Sequence, residues 1–164
     1  MNINEQAREE LLKEVDKLTD EEINKKPAGD QWSIRQIMEH LILMEDGITK
    51  TVAAQLTSED KNTTSDKPIE LTINREKKVQ APDFAVPGND YVTLNVLKQK
   101  LAYTHAQLNQ LAEHADDEEL AARSYPHPIF GELNLKQWLP FVGYHEKRHI
   151  DQIKEVKKAL GLEK

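Results

Sequence analysis

Cysteine is absent from the 164 residues of this chain. That absence excludes disulfides, thiolate-ligated zinc and a cysteine nucleophile, and it fits a reducing, cytoplasmic setting. Basic residues are outnumbered: 22 Lys and Arg against 29 Asp and Glu leave a formal net charge of −7. Without a basic surplus to neutralise phosphates, nucleic acid is not an expected partner. No run approaches the ~20 apolar residues that span a bilayer, so no membrane partner is expected either. The opening stretch MNINEQAREELLKEVDKL has no basic start followed by an apolar run, and no signal peptide is expected. Glycine-rich phosphate loops, internal repeats and low-complexity tracts are also missing.

Helical periodicity dominates what remains, and the length suits one domain spanning 1–164. The first helix is predicted from about Asn4 to Leu18, with Ala7, Leu11, Leu12, Val15 and Leu18 at spacings of three and four. Thr19 and Glu22 form a capping-box pair for a short turn that stops near Pro27 and Gly29. Ser33 and Gln36 start a second long helix whose stripe is Ile37, Leu41, Met44, Ile48 and Val52. A third runs from about Thr93 to Ala115. The fourth begins near Asn134 and ends at Gly161, with Pro140 expected to bend or restart it. Between the second and third helices lies an irregular excursion from Ser58 to Asp90. Its IELTIN run alternates like a short strand. The stretch RSYPHPIFGEL reads as irregular. Together these elements predict an all-α four-helix bundle with non-trivial connections.

The stretch YHEKRHIDQIK, residues 144 to 154, contains His-Glu-x-x-His. Two histidines one turn apart share a helix face and can converge on one divalent ion. Six histidines in the chain give such a pair by chance with probability roughly 0.2, so the motif needs context. Context comes from the stripe Trp138, Val142, His145, His149, Gln152, Val156 and Leu160, which turns both imidazoles inward. His40, between Ile37 and Met44, faces inward in the same way. Three buried imidazoles without an ion are an awkward core, because each carries polar nitrogens needing partners. His40, His145 and His149 are therefore the candidate metal ligands. His105 is a reserve fourth ligand, His114 reads as a surface residue near a helix end, and His127 as a loop-packing residue. A zinc protease is a poor match: only IDQIKEVKKALGLEK follows His149, without the Gly-x-x-His continuation of one protease branch.

WSIRQIMEHL, followed at the far end by HEKRHIDQI, resembles the DinB superfamily, in particular its YfiT-like branch. The LTDEEI…W approach to the second helix and HPIFGEL before the last one are similar too, so the likeness spans nearly the whole chain. That resemblance implies an up-down-down-up four-helix bundle, a candidate homodimer, and a nickel or zinc ion on a histidine triad that falls on His40, His145 and His149. It also implies two chemistries. Relatives include transferases that join a low-molecular-weight thiol such as bacillithiol, mycothiol or glutathione to an electrophile, and others labelled as metal-dependent hydrolases.

Thiol transfer is the leading expectation, since an ion held by three neutral imidazoles deprotonates a bound thiol without any protein cysteine. Hydrolysis through activated water is the alternative, and a non-catalytic metal-binding bundle is the third. Glu146 is the candidate base or hydrogen-bond partner of a ligating histidine, and Gln152 the candidate orienter of His149. Arg148 is the candidate partner for a substrate carboxylate. A thiol site further predicts Arg35, Arg123 and Arg148 near its mouth. Trp32 is expected to pack the start of the second helix.

Overall fold

A computed structural model of the protein describes residues 1–163. Four long helices form the body: α1 (Ile3–Val15), α3 (Ile34–Leu56), α4 (Leu94–His114) and α6 (Leu135–Ala159). Short helices α2 (Asp20–Asn24) and α5 (Asp117–Ala121) precede α3 and a hairpin, respectively. Local signals set these boundaries. Ser33 accepts from the Gln36 N–H while the Gln36 side chain accepts from the Ser33 N–H, which fixes where α3 begins. At the other end of the chain, Gly161 has φ of +70°. The N–H of Leu162 reaches the Lys157 carbonyl and that of Gly161 the Lys158 carbonyl, a Schellman closure of α6.

Two core clusters reveal the helix directions. One joins Leu11 and Val15 to Ile34, Ile37 and Leu41, to Leu97 and Leu101, and to Ile150, Ile153 and Val156. The other joins Ile48 and Val52 to Leu108, Trp138, Phe141 and Val142. The starts of α3 and α4 therefore meet the ends of α1 and α6, giving up, down, down, up in chain order. Parallel α3 and α4 require a connection that returns along the bundle, and residues 57–93 supply it.

That connection is held by three guanidinium groups. Arg35 donates to the Gly88 carbonyl at 2.7 Å, and Arg123 to the Ser58 carbonyl at 3.1 Å. Arg148 donates to the carbonyls of Thr72 (3.1 Å), Asn74 and Lys77 (2.7 Å). The IELTIN run is not a strand. Residues Ile69–Ile73 form a 3-10 turn, with Ile69 buried and Leu71 exposed. Alternation needs a partner strand to become a ladder, and here the carbonyls find Arg148 instead. A ribbon forms where the sequence reads as irregular: β1 (Ser124–His127) pairs antiparallel with β2 (Gly131–Asn134). Gly131, at φ of +71°, closes the three-residue turn between them. Pro126 is tolerated because a two-stranded ribbon consists only of edges.

Pro140 neither stops nor restarts α6, which continues through it. Three residues on, Gly143 lets α1 approach: a Cβ there would lie 2.8 Å from the backbone of Ile3 and 2.9 Å from that of Asn4. Gly143→Ala must push the start of α1 away, and urea unfolding is expected to show a loss of about 1–3 kcal/mol. Among the described residues, no helix is long and apolar enough to cross a membrane.

Candidate metal centre

His40 stands on α3, two turns beyond its capping box, and His145 and His149 stand one turn apart on α6. The antiparallel crossing of these helices brings the three rings together, with one ligand nitrogen from each within 4.8 Å of the others. All three residues are at least nine-tenths buried. Trp32 lies against His40 with ring centres 5.1 Å apart, and Phe141 stacks on His145 at 5.7 Å.

The hydrogen bonds outside the triad decide what it presents inside. His40 Nδ1 lies 2.8 Å from the Ala85 carbonyl, which can only accept, so Nδ1 carries the proton. His149 Nδ1 lies 2.7 Å from Oε1 of Gln152 and is protonated for the same reason. With neutral rings, Nε2 of both residues is then a lone pair. These two lone pairs face Nε2 of His145 at 3.2 Å and 3.1 Å. A single proton on that nitrogen can serve only one of them. The other contact sets two lone pairs against each other in a buried space, which a shared cation removes. The donor set thus fits a divalent ion held by three nitrogens.

Burial also keeps the rings in the ligating form. It lowers the pKa of His40, with the Ala85 carbonyl acting in the opposite sense. Burial and then the neighbouring His149 and His40 push His145 well below the ordinary histidine value. Burial takes His149 down to about 3.

Other residues singled out from the sequence fall elsewhere. Glu146 is bonded to Arg8 rather than to a histidine: Arg8 Nε and Nη2 lie 3.2 and 3.1 Å from its two oxygens. It is buried, and desolvation raises its pKa although Arg8 opposes the shift. Arg148 uses its guanidinium on the 72–77 backbone, and burial, then Arg75, lowers its pKa. Arg35 and Arg123 are likewise spent on carbonyls and on Glu39 and Glu119. His105 bonds Glu45 and not the triad, while His114 is exposed with Nδ1 on the Gln110 carbonyl. His127 accepts the backbone N–H groups of Ile129 and Phe130 and so shapes the hairpin turn. Burial lowers it to about 4.

Two features escaped the sequence reading. Ala85, from the excursion, orients His40, and no side-chain pattern announces a backbone carbonyl. Arg8 and Glu45 form a buried ion pair at 3.0 Å. Their signal was present: Glu45 lies four residues after Leu41 and three before Ile48, on the apolar face.

A bundle of this connectivity, with three inward imidazoles shared by its second and fourth long helices, defines a class of histidine-triad helical proteins. The sequence profile of the DinB superfamily matches residues 3–153, and the chain belongs to that family. It is 33% identical over 160 residues to the uncharacterized protein YuaE of Bacillus subtilis (strain 168), covering 98% of each chain. It is 24% identical over 140 residues to the "Putative metal-dependent hydrolase OB0413" of Oceanobacillus iheyensis, covering 85% of this chain and 73% of that one. Among solved structures, YfiT from Bacillus subtilis is described as a probable metal-dependent hydrolase with an unusual four-helix bundle topology. It superposes with a TM-score of 0.65 at 20% identity, covering 98% of this chain and 85% of that one. TT2238, a four-helix bundle protein, superposes with a TM-score of 0.64 at 20% identity, covering 93% and 94%.

Proposed function

We propose that this protein is a metal-dependent hydrolase whose ion is held by Nε2 of His40, His145 and His149. The observation that carries this reading is the convergence of three Nε2 atoms, two of them fixed as lone pairs by outer hydrogen bonds. A divalent ion there supplies Lewis acidity, polarising a carbonyl or phosphoryl group and making water nucleophilic near neutral pH. The chain's part is positional. The Ala85 carbonyl and Gln152 hold the outer N–H groups of His40 and His149, so that neither ring can turn its protonated edge inward. Trp32 and Phe141 pack against two of the rings and keep bulk water off those faces.

Hydrolysis is placed ahead of thiol transfer on two grounds. The Oceanobacillus iheyensis relative is described as a putative metal-dependent hydrolase, and YfiT as a probable one. Thiol transfer called for free cations at the mouth, and Arg35, Arg123 and Arg148 are committed to the excursion. Glu146 is occupied by Arg8, so the reading assigns no carboxylate as base.

Protein loaded with zinc or nickel should release p-nitrophenol from p-nitrophenyl esters, or amine from anilides, at a rate lost in His145→Ala. If no ester, anilide or phosphoester turns over, the hydrolase reading fails. Conjugation of bacillithiol to a chlorinated aromatic under the same conditions would put thiol transfer in its place.

A further inference from the structure

A cavity separate from the triad opens on another face of the bundle. A cleft of about 570 Å³ lies between α1 and α4 and shares no lining residue with His40, His145 or His149. Its volume is within the roughly 300–1,000 Å³ of small-molecule sites. Leu12, Leu101, Ala102 and Ala106 make its walls apolar, and Lys13 and His105 also line it.

His105 is oriented as a working imidazole would be. Its Nδ1 lies 3.1 Å from Oε2 of Glu45. Glu45 in turn accepts from Arg8 at 3.0 Å and from the Thr104 hydroxyl at 2.6 Å. Burial tends to raise the Glu45 pKa, but His105, Arg8 and Thr104 together hold it below the ordinary value, so it is a carboxylate. Nδ1 therefore carries the proton, and Nε2, on the opposite edge, has no protein partner among the described residues. Lys13 likewise has no ion-pair partner among them. Behind His105 the buried group comprises two carboxylates, Glu45 and Glu146, and one guanidinium, Arg8. One further cation balances it. No serine or threonine hydroxyl lines the cleft to serve as a nucleophile.

We propose that the α1/α4 cleft is a binding site for a small organic acid with an apolar body. The body lies along Leu12, Leu101, Ala102 and Ala106. The ligand enters as its carboxylate, and one proton taken from solvent joins Nε2 of His105. The carboxylate pairs with that imidazolium and with the ammonium of Lys13, while the imidazolium balances the second buried carboxylate. No electrons are transferred and no bond to carbon changes. The site stands apart from the triad, so it does not depend on the hydrolytic reading.

Titration of the full chain with sodium octanoate tests this, with calorimetry for affinity and ¹⁵N NMR for the His105 ring. One saturable site is expected, with Nε2 of His105 moving from the unprotonated to the protonated ¹⁵N position. Ala106→Trp fills the cleft from an exposed position. It should keep the wild-type circular dichroism melt and weaken binding at least tenfold, as should His105→Gln. His145→Ala should bind octanoate as the wild type does, which separates the cleft from a carboxylate captured at the triad. Absence of saturable binding, binding untouched by Ala106→Trp, or an unchanged His105 Nε2 would overturn the proposal. So would a dimer that buries the cleft and is split by Ala106→Trp.

Discussion

His145→Ala is expected to abolish stoichiometric ion binding. Elemental analysis of the wild type purified with zinc or nickel should give about one ion per chain, and the variant less than a tenth of that. His145 is the middle member of the candidate triad: both short nitrogen contacts, 3.2 Å to His40 and 3.1 Å to His149, run to its Nε2. Its loss leaves two imidazoles on different helices, too few to hold an ion against water. A thermal readout checks the same point. An ion bound only by the folded state raises the melting temperature by roughly 10 °C at ~1,000 times its Kd. That increment should vanish in the variant.

The ion-free protein should also be sensitive to acid, and the sign follows from the three lowered pKa values. Unfolded imidazoles take up protons below about 6.5, whereas folded His149 waits until about 3, and His40 and His145 are lowered too. The unfolded state thus binds more protons across that window, and stability falls as the pH drops through it. Urea midpoints of ion-free protein should be lower at pH 5 than at pH 7.5. An unchanged midpoint would mean the imidazoles are not buried together in solution.

Much of this centre is visible in the one-dimensional chain because its causes are local. Ser33 with Gln36, Asn134 and Gly161 bound their helices through contacts within a few residues, and periodicity then fixes which side of each helix His40, His145 and His149 occupy. What escapes depends on distant backbone. IELTIN alternates, but a strand exists only if another strand accepts it; Arg148, about 75 residues away, takes its carbonyls first. The arginines expected at the site mouth illustrate the same rule. A guanidinium five donors wide is as well suited to unpaired loop carbonyls as to a ligand carboxylate, and the long excursion supplies many. Hydrophobic spacing puts Met44 on the inward stripe of α3, yet it is half-buried while Glu45 is almost wholly buried. A stripe assigned by hydrophobicity overlooks a carboxylate when its partner lies on another helix.

That partner makes Arg8→Met the substitution expected to cost most. The Arg8 guanidinium is 2.8 Å from the Leu101 carbonyl, 3.0 Å from Glu45 and 3.1–3.2 Å from both oxygens of Glu146. One side chain from α1 thereby ties α3, α4 and α6. Burial works against its charge, yet Glu146 and Glu45 together raise its pKa. Methionine fills similar space but leaves two carboxylates buried with no guanidinium between them. Breaking such a group by removing one member costs about 3–5 kcal/mol, enough to unfold many domains of this size. Part of the loss should return at low pH, where Glu146, already raised by burial, protonates most readily. Removing all three charges, as Arg8→Met with Glu45→Met and Glu146→Leu, should restore much of the stability, because each member then loses its desolvation cost. Urea denaturation of both variants at pH 7 decides the matter. A single variant as stable as the wild type would mean that water reaches these carboxylates and that the guanidinium is not what joins the four helices.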